Sequence, residues 1–333
     1  MLTFLNDQIS APLTRLGFPP WLQNYVVTMA FIALVYAGFM ILERLRPVEK
    51  TDWSSLWLNA RLALVLQAVI LFIAFWVQPV LSRAVSGWLP DGAGLIKTAA
   101  YAQQGLLFVL YLLAYDFLYY WLHRAQHRYD GLWSIHKLHH SETHVNVTTT
   151  LRVHWLEEVL KALVIILPVS LLFDGAPSAG WLAGILGVWL FFVHANLRVS
   201  FGPLSWLLTS PAAHRIHHSL DHAQSNRNFA VIFPIWDIVF GTYQRPLAHQ
   251  WPRTGVLGEA PPGFWQAVHE PLTTLFGHRR PALNVGPSAA DSVTAAPIHC
   301  HSVHSDSEHR EESGHAAAVV AAAPKTAPLL AIR

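Results

Sequence analysis

The chain has 333 residues, of which 53% are hydrophobic and only 13% are charged. Soluble domains usually carry about 25% charged residues, so this composition indicates a membrane protein. A formal net charge of +2 gives no reason to expect a nucleic-acid partner. The single cysteine, Cys300, excludes an internal disulfide. Histidine is unusually frequent, with 20 residues, and eleven of them fall between His123 and His218.

Two long apolar runs follow a short N-terminal segment. Residues 1–24 contain three prolines and lack the basic start and cleavage site of a signal peptide, so we predict an amphipathic segment at the membrane interface. Tyr25–Leu42 and Leu62–Leu81 are free of charged residues, and about 20 apolar residues are enough to cross a bilayer. Residues 25–98 are therefore predicted to form the first two transmembrane helices.

Three further apolar runs complete the membrane part. Ala99–Leu122 is long, whereas Val159–Phe173 and Gly180–Val193 are shorter and are separated by a predicted turn at 174–177. The pattern predicts an all-α, multi-span membrane protein with about four or five transmembrane helices. Basic clusters follow the first and third runs, and the positive-inside rule places them, with the histidine-rich segments, on the cytoplasmic face.

The C-terminal part changes in composition. Residues 99–245 contain the histidine clusters and are predicted to be a catalytic domain, with a helical cap at the cytoplasmic face. Residues 246–284 lack long apolar runs and are predicted to form a polar cap. Residues 285–333 are rich in Ala, Ser, His and Pro without periodicity, so we predict a disordered tail.

Three histidine clusters have helical spacing. His123 and His127 are four residues apart and continue directly from the third apolar run. Two His-x2-His-His clusters place residues i, i+3 and i+4 on one side of a helix. They consist of His136, His139 and His140, and of His214, His217 and His218. A ninth histidine, His194, stands at the end of the fifth run.

Nine imidazoles exceed what one metal ion can bind, so the clusters predict a site for two ions. Imidazole suits Zn, Cu, Fe and Ni, and reactivity with O2 favours iron among them. Soluble di-iron bundles use Glu-x-x-His motifs, and none lies between residues 99 and 245. The predicted site is therefore almost entirely built from nitrogen ligands.

Four other residues are candidates for supporting roles. Asp116 lies two helical turns before the first histidine pair and is predicted to accept a hydrogen bond from a ligand imidazole. Asn228 and Asp237 follow the last cluster and are predicted to act similarly. His154 is either a tenth ligand or the partner of Glu157.

The sequence around these histidines resembles the fatty acid hydroxylase/sterol desaturase superfamily. The stretches that carry the resemblance are 116–127, 136–141, 194–196, 210–218, Asn228 and 236–242. It extends over roughly residues 105–245. The Gly202-Pro-Leu sequence after His194 looks more like the alkylglycerol monooxygenase branch than the sterol desaturases.

The resemblance implies a non-haem di-iron oxygenase embedded in the membrane. Such an enzyme uses O2 to hydroxylate or desaturate a C–H bond of a lipid or sterol-like substrate. The nine histidines would bind the two iron ions, with no separate catalytic residue. Electrons would come from a separate reductase, ferredoxin or cytochrome.

Two other classes of protein remain possible at this point. A metal transporter or a non-redox metal-binding protein would place ligands near the bilayer midplane and often has repeated halves, neither of which the sequence indicates. A haem protein with two histidine ligands needs fewer histidines than are present. The sequence does not specify the lipid, the electron donor or the oligomeric state.

Overall fold

The computed structural model describes residues 2–77, 80, 96–97, 104–174, 179–247 and 249–276. In these ranges the α-helices are α1 (Leu2–Arg15), α2 (Pro20–Leu45), α3 (Trp53–Phe72), α4 (Gln104–Arg128), α5 (Asp130–His140), α6 (Trp155–Lys161), α7 (Leu167–Leu172), α8 (Ala179–His194), α9 (Pro211–His217), α10 (His222–Ser225), α11 (Ile235–Val239) and α12 (Phe264–Phe276). Short π-helical segments, Ile73–Val77 and Ala162–Ile166, extend α3 and join α6 to α7. The predicted disordered tail, 285–333, lies outside the described residues.

Three helices in the described ranges are long and apolar enough to cross a membrane. They are Pro20–Leu45, Trp53–Trp76 and Gly105–Arg128, with mean hydropathies of 2.2, 2.1 and 1.6. The prediction of a helical, multi-span protein is confirmed. The fourth and fifth apolar runs form the shorter helical segments α6–α7 and α8, so a count of four or five spans stays a prediction.

The observed spans begin and end at other residues than the apolar runs that predicted them, because the ends of the helices include polar residues. Pro20 occupies the first turn of α2, where its missing N–H costs no hydrogen bond. Asp52 caps α3 by accepting a hydrogen bond from the Ser54 amide at 3.0 Å. Such capping residues are invisible to a search for apolar runs.

One small element departs from the all-α prediction. Ile96–Lys97 (β1) pairs in parallel with Phe173–Asp174 (β2), over two residues each. The turn predicted at 174–177 falls largely outside the described residues, since only Asp174 of that stretch is described.

Helix α4 carries the membrane part directly into the histidine-rich part. It continues from its apolar stretch through His123 and His127 to Arg128, as predicted. Tyr129 separates it from α5, whose first-turn residue Asp130 complements the positive end of the helix dipole. The two helices therefore bring the first two histidine clusters close together.

A buried arginine joins α5 to the second span. The Arg152 side chain is 0% exposed. Its guanidinium donates to the Leu138 carbonyl at 3.1 Å, to Ser141 Oγ at 2.8 Å and to Asn59 Oδ1 at 3.0 Å. It also forms an ion pair with buried Glu142 at 3.5 Å. The C-terminal end of α5, which carries three of the histidines, is thus tied to α3.

The described part of the predicted polar cap packs on α5. Lys137 forms ion pairs with Glu259 at 2.9 Å and with Glu270 of α12 at 2.7 Å. Within α12, Ala267 and Pro271 are buried, whereas Trp265 is exposed. The position of this polar cap relative to the two faces of a membrane stays a prediction.

Candidate metal centre

The nine histidines of the predicted site lie together in two groups. In each group the nearest ligand atoms are all within 4.8 Å of one another. The first group consists of His123, His127, His136, His140 and His217. The second consists of His139, His194, His214 and His218. Eight of the nine side chains are buried, and that of His127 is half-buried.

Neighbouring histidines in the sequence belong to different groups. In α5, His140 faces the five-histidine group and His139 faces the four-histidine group. At the end of α9, His217 and His218 divide in the same way. The rings of His140 and His218 stack with centroids 4.5 Å apart. The two groups therefore lie side by side, with His140 and His218 in contact at their boundary. This arrangement follows from the spacing of the His-x2-His-His motif, whose adjacent histidines face different groups.

Five pairs of Nε2 atoms within the groups approach to hydrogen-bonding distance. His123 and His136 approach at 3.0 Å, and His127 and His140 at 3.1 Å. In the other group, the His194 Nε2 lies 3.0 Å from that of His139 and 2.9 Å from that of His214. His214 and His218 are 3.2 Å apart.

These separations indicate the angles at which the nitrogens would meet an ion. With metal–nitrogen bonds of about 2.1 Å, two ligand nitrogens lie about 3.0 Å apart at a right angle and about 3.4 Å apart at a tetrahedral angle. The observed range of 2.9 to 3.2 Å is closer to the right angle. The groups fit an ion with five or six ligand positions better than a tetrahedral structural zinc.

The hydrogen bonds of the Nδ1 atoms, which lie on the side of each ring away from its group, determine which ring nitrogen carries the lone pair. Nδ1 of His123 donates to the Phe229 carbonyl at 2.7 Å, Nδ1 of His194 to Leu190 at 2.7 Å, and Nδ1 of His217 to Arg227 at 2.9 Å. Because a carbonyl only accepts, the proton of each neutral ring is on Nδ1. Each Nε2 therefore directs a lone pair into its group.

Where two lone pairs face each other at such a distance, a cation between them is stabilising. Nδ1 of His123 donates to the Phe229 carbonyl and Nδ1 of His136 to Glu157, so the Nε2 lone pairs of these two rings face each other at 3.0 Å. The His194 Nε2 has no proton to donate to the nitrogens of its neighbours. The His217 Nε2 is buried and has no hydrogen-bond partner among the described residues. Buried polar atoms are rarely left without a partner, and a bound metal ion supplies one. The donor set thus fits metal ions.

Burial also keeps these rings in the state that binds metal. Removal from water, reinforced by the neighbouring histidines, lowers the pKa of His214, His217 and His218 well below the ordinary value. The pKa values of His139 and His140 are lowered for the same reasons. Neutral imidazole is the form that coordinates a metal.

The buried carboxylate of Glu157 bonds a ligand imidazole, and not His154, which was one of the two possibilities considered from the sequence. Glu157 accepts from Nδ1 of His136 at 3.0 Å and forms an ion pair with Lys161 at 3.2 Å. Burial alone would raise the pKa of Glu157, but the charge of Lys161 and the His136 contacts hold it below its usual value. A charged carboxylate orients its imidazole and makes it a better ligand.

Replacing Glu157 with glutamine is expected to weaken metal binding by about 10- to 100-fold, since the imidazole of His136 loses its anionic partner. Competition with a chelator of known affinity measures the change. Glu158→Gln is the matched control, because Glu158 is on the same helix and contacts only Lys161 among ionic partners. Equal retention of metal in both variants would contradict this role.

Two predicted supporting residues act on the backbone, not on a ligand ring. Buried Asp116 accepts from the amides of Val231, Ile232 and Phe233, at 2.9, 3.1 and 2.7 Å. The prediction that it bonds a ligand imidazole is therefore wrong. The carboxylate instead satisfies an irregular segment, 231–233, that lacks helical hydrogen bonds, and fixes it against α4.

Asp237 holds the residue that positions His123. Its two oxygens accept from the Phe229 and Ala230 amides, both at 2.8 Å. The carbonyl of Phe229 in turn accepts from His123. Asp237 therefore acts on the site through one backbone unit, and not by direct contact with a ring as predicted.

Asn228 and His154 are also structural. Asn228 adopts a left-handed φ of 55°, which Asn tolerates, and donates to the Ala213 carbonyl at 3.1 Å. His154 caps α6 by accepting from the Leu156 amide at 3.3 Å, and its Nε2 lies 3.1 Å from the Val268 carbonyl. Both ring nitrogens of His154 are engaged, so it is not a tenth ligand in this arrangement, nor does it pair with Glu157.

Aromatic rings close the five-histidine group from outside. The ring of Phe229 lies 5.2 Å from that of His127 and 5.6 Å from those of His123 and His217. Trp133 packs against His127 at 5.1 Å. Neither ring was predicted from the sequence, because no spacing rule connects residue 229 to helix α4. They place apolar surface against the five-histidine group.

Residues 108–242 match the fatty acid hydroxylase family. All nine histidines lie within this match. This part of the chain is thus similar to a fatty acid hydroxylase domain. The predicted resemblance to the superfamily is confirmed, as is the prediction that the chain is an enzyme of that class.

Relatives with described activities match this chain to different extents. An ornithine lipid hydroxylase of Rhizobium tropici is 29% identical over 266 residues, which cover 75% of this chain and 74% of that protein. The alkylglycerol monooxygenase of Homo sapiens is 33% identical over 132 residues, 40% of this chain and 29% of that protein. A very-long-chain aldehyde decarbonylase of Oryza sativa is 28% identical over 203 residues, 57% of this chain and 29% of that protein.

The matches to these relatives differ in how much of each protein they cover. The chain spans less than a third of the monooxygenase and of the decarbonylase, so those proteins contain much that has no counterpart here. The match to the bacterial lipid hydroxylase extends well beyond the domain. No solved structure gives a significant match.

Proposed function

We propose that the chain is a membrane-bound, O2-dependent lipid hydroxylase whose nine histidines bind two iron ions. The five-histidine group would hold one ion and the four-histidine group the other. The observation that carries this proposal is the convergence of the nine histidines in two adjacent groups, with Nε2 atoms that approach to 2.9 to 3.2 Å. Iron is favoured because imidazole ligands suit it and because the angles depart from tetrahedral.

The bound ions would supply the reaction with O2 and the oxidation of a C–H bond. The residues of the chain would position the ligand imidazoles and shield them from water. The backbone carbonyls of residues 190, 227 and 229 fix three rings in the ligating tautomer. Glu157 keeps His136 oriented, while Phe229 and Trp133 exclude water from the five-histidine group.

The net reaction would insert one oxygen atom of O2 into a C–H bond of the lipid and release the other as water. Two electrons and two protons complete this balance, and they must come from outside the chain. We propose a separate reductase, ferredoxin or cytochrome as the one-electron donor. The same site could instead remove two hydrogens to give an alkene, and the products would distinguish the two reactions.

We propose that the candidate metal centre faces the cytoplasm. Exposed Arg44 lies in the last turn of α2, exposed Arg46 and Lys50 follow that helix, and Arg128 ends α4. Under the positive-inside rule these ends lie on the cytoplasmic side. A soluble electron donor could then reach the centre, while the lipid arrives from the bilayer.

A test of the proposed function begins with metal analysis of the full chain. The protein is purified in detergent from iron-supplemented cells and its metal content per chain is measured. It is then placed in lipid nanodiscs with ornithine lipid or alkylglycerol, which are the compounds named for two relatives. Isotope-labelled O2 and a ferredoxin–reductase pair are added, and lipid products are analysed by mass spectrometry.

About two irons per chain and one labelled oxygen in a lipid product would support the proposal. Zinc alone, unchanged after anaerobic loading with iron, would contradict the redox chemistry. Movement of metal across a vesicle membrane without consumption of O2 would instead identify a transporter.

A further inference from the structure

Two segments outside the three long helices expose an unusual number of large apolar side chains. We call residues 201–209 and 229–240 the apolar lobe. Six of its side chains are between 41% and 60% exposed. They are Leu204, Trp206, Leu207, Ile235, Ile238 and Val239. An exposed apolar cluster of this kind is typical of an interaction surface.

The two segments of the lobe form one unit. Thr209 donates from its amide to the Ile232 carbonyl at 2.9 Å and from its hydroxyl to the Ala230 carbonyl at 3.1 Å. Ser205 Oγ lies 3.0 Å from the hydroxyl of Tyr243, just beyond the second segment. Leu208 packs against the core that contains Val231 and Ile232. The exposed side chains therefore belong to a single ordered part of the molecule.

The lobe packs against a helix that is long and apolar enough to cross the membrane. The rings of Phe117 and Trp236 are 4.9 Å apart, and those of Trp121 and Phe240 are 4.8 Å apart. At 1.5 Å per residue, Phe117 and Trp121 lie about 10–17 Å before the Arg128 end of α4. Helix α11 therefore lies beside the apolar stretch of α4, and not beside the polar end of α4 at Arg128.

The charges around the lobe agree with a membrane surface. Within its two segments the only charged residue is Asp237, which is 1% exposed. The segments are flanked by three exposed arginines: Arg198, Arg227 and Arg245. Apolar and Trp side chains beside basic residues are the composition of segments that lie at the boundary between headgroups and acyl chains.

We propose that the apolar lobe inserts into the headgroup–acyl boundary of the bilayer beside α4, with the three arginines at the level of anionic headgroups. The lobe is connected to the candidate metal centre, because Asp237 of α11 holds the Phe229 and Ala230 amides and the Phe229 ring contacts three histidines. The bilayer would thus meet the hydroxylase domain on the side of the five-histidine group. Insertion of the lobe does not depend on iron or on the oxidation reaction. A test can therefore contradict the insertion without contradicting the proposed function, and the reverse.

The test uses a fluorophore whose emission reports its surroundings. In a Cys300→Ser background, which removes the single natural cysteine, Val239→Cys and Leu204→Cys are labelled separately. Both side chains are exposed, so the label replaces no packing. Ala223→Cys on the polar helix α10 is the control, since it is also exposed. The full chain is placed in nanodiscs of phosphatidylcholine and phosphatidylglycerol.

Nitroxide groups on the acyl chains quench a fluorophore in the bilayer, whereas iodide quenches one in water. We expect nitroxide lipids to quench the labels at 239 and 204 at least about twofold more than the label at 223, and iodide to do the reverse. Equal iodide quenching at all three positions would overturn the proposal. Protection from both quenchers, with energy transfer between labelled copies, would also overturn it and identify a second copy of the chain as the occupant.

Discussion

His217→Ala is expected to reduce the metal content from about two ions to one or fewer per chain and to lower lipid oxidation by more than about 100-fold. The His217 Nε2 is a buried nitrogen that has no hydrogen-bond partner among the described residues, so coordination is the interaction it would lose. Its Nδ1 bond to Arg227 holds the ring in place but does not use the lone pair. Metal analysis and product formation in nanodiscs measure both effects.

The control for this change is His222→Ala, because His222 is exposed and lies outside both groups. It should keep the metal content and the activity of the unchanged protein. His214→Ala applies the same test to the four-histidine group, and circular dichroism checks that each variant remains folded. If His217→Ala retained as much metal as His222→Ala, coordination by this residue would be ruled out.

Arg152→Met is expected to destabilise the folded state by about 3–5 kcal/mol, because it leaves the buried Glu142 carboxylate without its cationic partner. Arg152 also satisfies the Leu138 carbonyl and Ser141 Oγ at the end of α5. Loss of these bonds should loosen the helix that carries His136, His139 and His140. Thermal unfolding in detergent measures stability, and chelator competition measures the accompanying loss of metal.

A second substitution separates the charge effect from the loss of packing. Glu142→Gln in the Arg152→Met background removes the uncompensated charge and should recover part of the lost stability. Arg198→Met is the matched control, since Arg198 is exposed and bonds only backbone carbonyls, at 2.9 and 3.4 Å. Its effect should be within about 0.5 kcal/mol. A Glu142→Gln change that gave no recovery would contradict the role assigned to the ion pair.

The histidine site was predictable because its residues obey a local rule. Helical spacing places residues i and i+4 on one face, and this was enough to nominate His123 with His127 and both His-x2-His-His clusters. The division of His139 from His140 between two groups was not predicted, because it depends on how α5 faces α8 and α9. The resemblance to the superfamily followed from the same motifs and is confirmed by the match over residues 108–242.

The supporting residues were less predictable because their partners are distant in the sequence. Asp116 contacts the backbone more than 100 residues later, at 231–233. Glu157 was considered as a partner of its neighbour His154, but it bonds His136 from the preceding helix. Sequence spacing alone does not contain this information, since it depends on tertiary packing.

The number of spans illustrates a different limit. Hydropathy located α2, α3 and α4, although the polar residues at their ends place the bounds of the helices away from those of the apolar runs. For the fourth and fifth runs, length is the deciding quantity: α8 has 16 residues, and α6 and α7 are separated by a π-helical segment. Apolar composition is equally compatible with a short span and with a helix buried against the protein.

Because the two histidine groups are built on the same turns of α5 and α9, binding of metal to one group affects the other. A single helical turn of α5 contributes to both groups, and so does the end of α9. An ion that enters one group fixes the backbone of both turns and thereby removes part of the ordering cost for the other. We therefore expect cooperative loading: at half the saturating amount of metal, molecules with two ions and molecules with none should outnumber those with one.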